Sequence, residues 1–290
     1  MKVLVTGSGT LLGKNIAKKL STQHKIIASY NNTYPKELNR NKNIKIIKLD
    51  LQNNFNIDQS FDALVHCASA VPADKFSKKK LNLINSIGFK KILAHCKKNQ
   101  CKKIIICSTV SVYGKIKKNY ITEKTVFNFP DDYAITKIRM ENDLKKYCKK
   151  NNADGLVLRM PGLLGYKSKN NFLSAALVYI KKFKHIKISN PYLKYNNMIH
   201  VDNLSSIIEH ALRENKGFNI YNLGTKYPLK IFKIFEIMFH ILKVKKKIIC
   251  TSKVSKGFNI KLNNKFVKKY NIYTTKKTIN KFVKENLQIL

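Results

Sequence analysis

Short apolar runs alternate with helix-like stretches through the first 160 residues, and this alternation constrains the fold more than any other feature. Six runs carry Val, Ile or Leu at consecutive positions, as strands do when both faces of a parallel sheet are buried: Lys2–Thr6, Lys25–Ser29, Ile44–Leu49, Ala63–Cys67, Lys103–Ser108 and Gly155–Arg159. Amphipathic helices are predicted between them at Leu12–Leu20, Leu81–Cys96 and Ala134–Cys148. The pattern predicts an α/β fold with a doubly wound parallel sheet and right-handed crossovers.

After Arg159 the pattern is less regular, and residues 161–290 are expected to add a smaller C-terminal lobe to the sheet formed by residues 1–160. Three elements are predicted at its start: a helix at Phe172–Phe183, a strand near Ile186–Ser189 and a helix from about Asp202 to Leu212. The lobe is expected to interleave with the sheet rather than to fold independently.

The sequence does not indicate a membrane-spanning or exported protein. No apolar stretch reaches the roughly 20 residues of a membrane helix, and Met1–Gly7 leads into a strand without the apolar core of a signal peptide. The cysteines are scattered without a CxxC pair, which favours free thiols in a reducing compartment and gives no metal site. We therefore expect a soluble, cytoplasmic protein with no membrane partner.

The charge of the chain is strongly basic. Lys and Arg total 57 against 16 Asp and Glu, a formal net charge of +41. Such a field attracts nucleic acid, anionic membranes or anionic substrates. The lysines are spread along the chain rather than gathered into an arm, and Asn and Ile, which share A/T-rich codons with Lys, are abundant too. We interpret the charge as a solvated basic surface and expect no nucleic-acid partner.

A glycine-rich turn, Thr6–Gly13, joins the first strand to the first helix. Glycines let the backbone approach a pyrophosphate, and the free N–H groups and dipole of the helix N-terminus favour its charge. Because the turn follows the first strand of an alternating α/β pattern, it predicts a dinucleotide site in a Rossmann-type sheet. Its expected cofactor residues are Gly7, Gly9, Thr10, Leu11, Leu12 and Gly13.

The choice between NAD and NADP depends on the end of the second strand. An acidic residue normally holds the ribose hydroxyls of NAD there. The segment Ala28–Thr33 carries no carboxylate, and Lys36 and Arg40 lie just beyond it. The cofactor is therefore expected to be NAD(P), and the sequence slightly favours NADP.

A phenol and an amine lie four residues apart at Tyr133 and Lys137, on one face of a predicted helix. An ammonium next to a phenol stabilises the phenolate, so we expect the pKa of Tyr133 to lie below its usual value. Such a tyrosine can take the proton of a substrate hydroxyl while hydride leaves the same carbon. The hydroxyls of Ser108 and Thr109 follow a strand whose carboxyl end faces the ligand crevice of such a sheet.

Taken together, these motifs resemble the extended short-chain dehydrogenase/reductase family, the NAD-dependent epimerase/dehydratase group. The resemblance runs nearly end to end. It includes Thr6–Gly13, Asp50-Leu51, Asp62–Ala68, Asn85 with Gly88, Ser108–Gly114, Tyr133–Lys137 with Glu141, Leu158–Gly165, Ile199–Leu204 and Tyr221–Gly224.

The resemblance implies a role for each matching residue. Tyr133 is the acid/base, Lys137 tunes it and holds the nicotinamide ribose, and Thr109 is the hydroxyl partner. Further cofactor contacts are implied for Asp50, Leu51, Ala68, Ala70, Asn85, Ser108, Pro161 and Gly162, besides Tyr133 and Lys137. Substrate contacts are implied for Ser111, two residues after Thr109, and for Asn171 and Asn196 in the C-terminal substrate-binding lobe. A homodimer through Leu81–Cys96 and Ala134–Cys148 is left open.

Some positions depart from the family pattern. Thr10 stands where the turn usually has its middle glycine, which here is Gly9. Val110 and Ser111 replace the Asp and Glu of family dehydratases, which disfavours a dehydratase. Asn196 stands where many relatives have an arginine for the substrate diphosphate, and a lysine such as Lys194 is a candidate substitute.

We therefore predict an NAD(P)-dependent nucleotide-sugar 4-epimerase or 4-keto reductase. One alternative is an NADP-dependent reductase or dehydrogenase of a non-sugar alcohol or ketone. A remoter alternative is a non-catalytic NAD(P)- or RNA-binding protein on the same fold, which would be expected to have lost Tyr133 or Lys137.

Overall fold

A computed structural model describes residues 1–251 and 257–288 of the chain. The strands, in chain order, are β1 Lys2–Thr6, β2 Lys25–Tyr30, β3 Ile44–Lys48, β4 Ala63–His66, β5 Lys103–Thr109, β6 Tyr120–Ile121, β7 Asp154–Met160, β8 Gly162–Leu164, β9 Ile186–Ile188, β10 Lys194–Tyr195, β11 Met198–His200, β12 Phe218–Asn222, β13 Leu229–Lys230, β14 Ile248–Cys250 and β15 Asn259–Ile260. The α-helices are α1 Leu11–Leu20, α2 Lys78–Asn82, α3 Gly88–Lys98, α4 Asp132–Asn151, α5 Phe172–Phe183, α6 Val201–Glu214, α7 Ile231–Leu242, α8 Asn264–Lys269 and α9 Thr275–Glu285.

The central sheet has the strand order β12-β7-β5-β4-β1-β2-β3. The pairs from β3 through β2, β1 and β4 to β5 are parallel. All six predicted strands are present, each within one residue of its predicted ends. The prediction of an α/β, Rossmann-type doubly wound sheet is confirmed.

The chain divides into two compact units that each combine three segments. The first unit holds Met1–Lys115, Val126–Arg159 and Ser205–Tyr221, and the second holds Ile116–Thr125, Met160–Leu204 and Asn222–Leu290. The two units therefore exchange short segments across the expected boundary at residue 160.

The core of the first unit lies between the sheet and its helices. Leu4, Leu64 and Ile104 from neighbouring strands pack with Phe89 of α3 and Leu144 of α4, and all five side chains are buried. Consecutive apolar residues along β1, β4 and β5 are buried because helices cover both faces of a parallel sheet.

The second unit has its own core, built mainly from helices α5, α7 and α9. Its buried side chains include Leu177 of α5, Phe235 and Met238 of α7, and Phe282 of α9. Short two-stranded pairs join β8 with β11, β9 with β14, β10 with β13 and β6 with β15. Among the described residues, no helix combines the length and apolarity needed to span a membrane.

Candidate active site

The glycine turn between β1 and α1 is closely packed. Gly7 adopts a left-handed backbone with φ of 74°, and a Cβ on it would lie 2.7 Å from the backbone nitrogen of Ala68. A Cβ on Gly13 would lie 2.3 Å from the carbonyl oxygen of Gly7. Only glycine fits at these two positions, so the start of α1 lies directly against the end of β1.

Thr10, which replaces the usual middle glycine, serves as the N-cap of α1. Its hydroxyl accepts a hydrogen bond from the Gly13 N–H at 3.2 Å and donates one to the Gly7 carbonyl at 2.8 Å. The middle glycine is needed one position earlier, because a Cβ on Gly9 would lie 2.1 Å from the Thr33 carbonyl oxygen. With threonine at position 10, the Gly13 N–H is therefore satisfied by the Thr10 hydroxyl and is no longer a free N–H of the helix N-terminus.

A cavity of about 460 Å³ lies next to this turn in the first unit. Seven of the predicted cofactor residues line it: Gly7, Gly9, Thr10, Asp50, Leu51, Ala68 and Ala70. Its wall combines closely packed glycine backbone, the N-terminus of a helix and the ends of β2, β3 and β4, which suits the phosphates and ribose of a dinucleotide. Leu11, Leu12, Gly13, Asn85 and Ser108 are not among the described residues that line it.

The ribose end of the cavity carries no acidic side chain at β2. Its lining there is Ser29, Tyr30, Asn31, Asn32 and Thr33. Lys36 and Arg40, which suggested NADP, are not among the described lining residues, and the cation that does line the cavity is Lys80. The absence of a carboxylate at the end of β2 thus remains the feature that bears on the choice of cofactor.

Tyr133, Lys137 and Thr109 meet at the carboxyl end of β5. The Lys137 Nζ lies 5.9 Å from the centroid of the Tyr133 ring, one helical turn away on α4. The same Nζ donates to the Cys107 carbonyl oxygen at 3.1 Å, and the Thr109 hydroxyl is close enough to the Tyr133 phenol to influence its pKa. Asp131 caps α4 by accepting from the Ala134 N–H at 2.8 Å, so the helix begins one residue before Tyr133.

Burial dominates the electrostatics of this group. Desolvation raises the pKa of Tyr133 to about 12, while the nearby Ser69 and Thr109 hydroxyls act in the opposite direction. Burial also lowers the pKa of Lys137 to about 8. The expected lowering of the Tyr133 pKa is therefore not found in this structure, because removing the phenol from water outweighs its favourable neighbours.

Asn85 is held in a π-helical turn, Leu83–Ile87, that interrupts the single helix predicted for Leu81–Cys96. Its amide oxygen accepts from the Ala70 N–H at 2.8 Å, and its amide nitrogen donates to the Ala70 carbonyl oxygen at 3.0 Å and to the Thr136 hydroxyl at 3.0 Å. The extra residue in the turn aims Asn85 at the loop after β4 and at α4, as π-bulges often do at functional sites.

Ser108 points away from the cavity and into a buried polar cluster. Its hydroxyl donates to the carboxylate of Glu141 on α4. The same carboxylate pairs with Arg159, whose Nη2 lies 2.6 Å from Oε2, and Arg159 also donates to the Tyr113 hydroxyl at 2.8 Å. This cluster ties β5, α4 and β7 together beneath Tyr133 and Lys137.

A model of the NAD dependent epimerase/dehydratase family matches residues 3–224. The chain belongs to this family. Among its relatives, the dTDP-D-glucose 4,6-dehydratase of Dictyostelium discoideum is 23% identical over 268 residues, which are 83% of this chain and 62% of the dehydratase. The chain thus spans less than two thirds of that relative's length. The UDP-glucose 4-epimerase of Lactobacillus helveticus is 23% identical over 267 residues, 81% of this chain and 80% of the epimerase.

The fold of the family is also seen in solved structures. A UDP-N-acetylglucosamine 4-epimerase from Methanobrevibacter ruminantium M1, in complex with UDP-N-acetylmuramic acid, superposes with a TM-score of 0.82 at 20% identity. The match covers 100% of this chain and 99% of the epimerase.

Three positions were predicted from the family to face the substrate. Ser111 is exposed and its hydroxyl accepts from Thr109 at 3.1 Å. Asn171 caps α5 by accepting from the Ser174 N–H at 2.9 Å. Asn196 is 1% exposed, and its amide bonds the carbonyl oxygens of Thr225 and Ile260 and the Ile260 N–H.

These contacts differ in what they leave for a ligand. The amide of Asn196 is fully occupied by backbone, so it joins β15 to the start of β11 and offers no polar atom to a diphosphate. Pro161 and Gly162, the remaining family positions, lie in the second unit, where Gly162 pairs with Met198 of β11. Ser69 was missed at the sequence level, because nothing in its sequence neighbourhood distinguishes it from other loop serines.

One cluster of possible metal ligands lies in the second unit, at His200, Asp202 and Glu285. The Lys281 ammonium lies 2.8 Å from Asp202 and 2.7 Å from Glu285. A cation of the protein itself therefore already bridges the two carboxylates.

Proposed function

We propose that the protein is an NAD(P)-dependent nucleotide-sugar 4-epimerase or 4-keto reductase in which Tyr133 is the acid/base. The observation that carries the proposal is the convergence of Tyr133, Lys137 and Thr109 at the end of β5 in the unit that holds the dinucleotide cavity. A bound NAD(P) supplies the acceptor and donor of hydride.

Each of these three residues has a separate role in the reaction at one carbon of the substrate. The Tyr133 phenolate takes the proton of the C4 hydroxyl as hydride leaves that carbon, and the phenol returns a proton when the ketone is reduced. The Thr109 hydroxyl, close enough to the phenol to influence its pKa, orients the reacting oxygen. Lys137, fixed by the Cys107 carbonyl oxygen at 3.1 Å, brings a cation to the phenolate as it forms. A pKa of about 12 for Tyr133 in the cofactor-free protein keeps the phenol protonated until these charges act on it.

Water elimination is not part of the proposed reaction. The two positions after Thr109 are Val110 and Ser111, and neither side chain donates or accepts a proton at neutral pH as the acidic pair of a dehydratase does. Hydride transfer without loss of water is the chemistry that these residues support.

A basic cleft in the second unit supports an anionic substrate. The cleft has a volume of about 680 Å³, and Lys117, Lys118 and Lys194 line it. We propose that Lys194 contacts the diphosphate of the nucleotide, in place of the arginine that Asn196 replaces. The lack of a carboxylate at the end of β2 supports NADP over NAD, and parallel measurement of the affinity for each cofactor tests that preference.

The test is turnover with a panel of nucleotide sugars, followed by NMR of the sugar and by absorbance of the reduced cofactor. We expect turnover with at least one sugar, and a loss of two to four orders of magnitude in Tyr133→Phe with cofactor affinity retained. Tyr227→Phe, at a 74% exposed tyrosine of the second unit, serves as the control. Undiminished turnover in Tyr133→Phe would overturn the mechanism, and turnover of a non-sugar alcohol alone would overturn the substrate class.

A further inference from the structure

Lys80 of α2 is the one cationic side chain among the described residues that line the dinucleotide cavity. Its Nζ lies 3.9 Å from the centroid of the Phe76 ring, which lines the cavity as well. The face of a ring attracts a cation without accepting a conventional hydrogen bond, so the ammonium N–H groups stay available to a ligand. The salt bridges of the described residues do not include Lys80, whereas Lys78 pairs with Asp132 at 3.1 Å.

The charge of the cavity wall does not otherwise favour an anion. The remaining charged side chains of the wall are the carboxylates of Asp50 and Asp74. Each is held by backbone, since Asp50 accepts from the Gln52 N–H at 3.0 Å and Asp74 accepts from the Val71 N–H at 2.8 Å. One ammonium thus stands against two carboxylates before a dinucleotide adds the negative charges of its diphosphate.

The glycine turn has few N–H groups left for those charges. The Ser8 N–H donates to the Ser29 carbonyl oxygen at 2.7 Å, and the Thr10 N–H donates to the Gly7 carbonyl oxygen at 3.0 Å. The Gly13 N–H is taken by the Thr10 hydroxyl at 3.2 Å. Each of these bonds removes a donor that the turn and the helix N-terminus would otherwise offer to a phosphate. A cation at the cavity wall compensates for that loss.

We propose that Lys80 binds a phosphate group of the dinucleotide, with the Phe76 ring holding its ammonium at the cavity wall. The inference rests on the proposed function in taking NAD(P) as the ligand. The diphosphate of both cofactors and the 2′-phosphate of NADP present the same chemistry to an ammonium, and the choice of ligands in the experiment separates them.

The experiment measures binding and needs no turnover. The affinities of wild type and Lys80→Met for NAD and NADP are measured by calorimetry, and those for adenosine by ligand-observed NMR. A hydrogen bond to a charged group is strong, so Lys80→Met should lower the affinity for the dinucleotide at least about tenfold and leave that for adenosine unchanged. Lys80→Arg, which keeps the charge, should retain most of the affinity. Lys79→Met is the matched control, because Lys79 is the exposed neighbouring lysine of α2 and is not among the described lining residues.

Each outcome assigns or removes the role of Lys80. An equal loss for NAD and NADP supports a contact with the diphosphate, and a larger loss for NADP supports a contact with its 2′-phosphate. Wild-type affinity of Lys80→Met for both cofactors overturns the inference, and so does an equal loss for adenosine, which would mean that Lys80 only packs in the wall. Cofactor binding that depends on Lys80 without turnover of any nucleotide sugar would count against the proposed function alone. A wild-type protein that binds neither cofactor would overturn both.

Discussion

Replacing Lys137 by Met should stabilise the cofactor-free protein while it abolishes the proposed catalysis. Lys137 is 2% exposed, and its ammonium donates a hydrogen bond to the Cys107 carbonyl oxygen at 3.1 Å. Burial lowers its pKa from 10.5 to about 8, which corresponds to a cost of about 3 kcal/mol for burying the ammonium. Met has a similar length without the charge, and the lost hydrogen bond costs about 1 kcal/mol. We expect a net gain of about 2 kcal/mol in the free energy of unfolding at pH 7.

The pH dependence of this gain follows from the two pKa values. Below pH 8 the amine is protonated in both the folded and the unfolded chain, so the wild-type protein bears the full cost. Between pH 8 and 10.5 the folded chain gives up the proton while the unfolded chain keeps it, and the wild-type stability rises with pH. The advantage of Lys137→Met should therefore be largest at neutral pH and vanish toward pH 10.5.

Urea unfolding followed by circular dichroism at several pH values measures both effects. Lys145→Met is the matched control, because Lys145 is an exposed lysine on the same helix, and its replacement should change the free energy by less than about 0.5 kcal/mol. Taking the difference between variant and wild type at each pH cancels the titration of the other lysines. A lower free energy of unfolding for Lys137→Met at pH 7 would refute the argument that burial of this charge is costly.

Three further changes probe the scaffold and the two clefts. Glu141→Gln leaves the buried Arg159 guanidinium without its charge partner and should cost about 3–5 kcal/mol in urea unfolding. Gly13→Ala places a Cβ 2.3 Å from the Gly7 carbonyl oxygen. A titration followed by the fluorescence of the reduced nicotinamide should therefore show an affinity for the cofactor at least about tenfold lower. Lys194→Glu should raise KM for a nucleotide sugar about tenfold with kcat little changed, since the proposed contact is equally strong in the ground and transition states.

Each of these changes has a contradicting outcome. Wild-type stability in Glu141→Gln would mean that Arg159 finds another partner. Unchanged cofactor affinity in Gly13→Ala would mean that the backbone of the turn shifts to make room for the Cβ without changing the cavity. An unchanged KM in Lys194→Glu, with Lys18→Glu on the exposed face of α1 as its charge control, would remove Lys194 from the diphosphate site.

The strands and the shared helix face of Tyr133 and Lys137 could be predicted because local sequence decides them. Short runs of consecutive Val, Ile or Leu favour strands that are buried on both faces, and Tyr133 and Lys137 share a helix face through their spacing alone. The single helix predicted at Leu81–Cys96 is interrupted near its start by the π-helical turn Leu83–Ile87, so this part of the prediction was wrong. There Gly88 packs so closely on Leu51 that a Cβ would lie 2.7 Å from the Leu51 Cβ, and the chain takes a π-helical turn that periodicity does not reveal.

The rest of the site depends on contacts between residues that are distant in sequence. Asn85 donates to the hydroxyl of Thr136 although the two residues are 51 positions apart. Asn196 forms hydrogen bonds to the backbone of Thr225 and Ile260, so a position expected to face a substrate is instead part of the packing of the second unit. The raised pKa of Tyr133 likewise follows from its burial, which sequence spacing cannot give.

The most direct test of the central claim is a deuterium tracer. A nucleotide sugar that carries deuterium at C4 is incubated with the enzyme and NAD(P) in ordinary water, and both products are examined by NMR and mass spectrometry. Direct hydride transfer supported by Tyr133 predicts that the deuterium is found at C4 of the returned sugar or on the nicotinamide ring, and that Tyr133→Phe moves none of it. Loss of the deuterium to water, or equal transfer in Tyr133→Phe, would contradict the account.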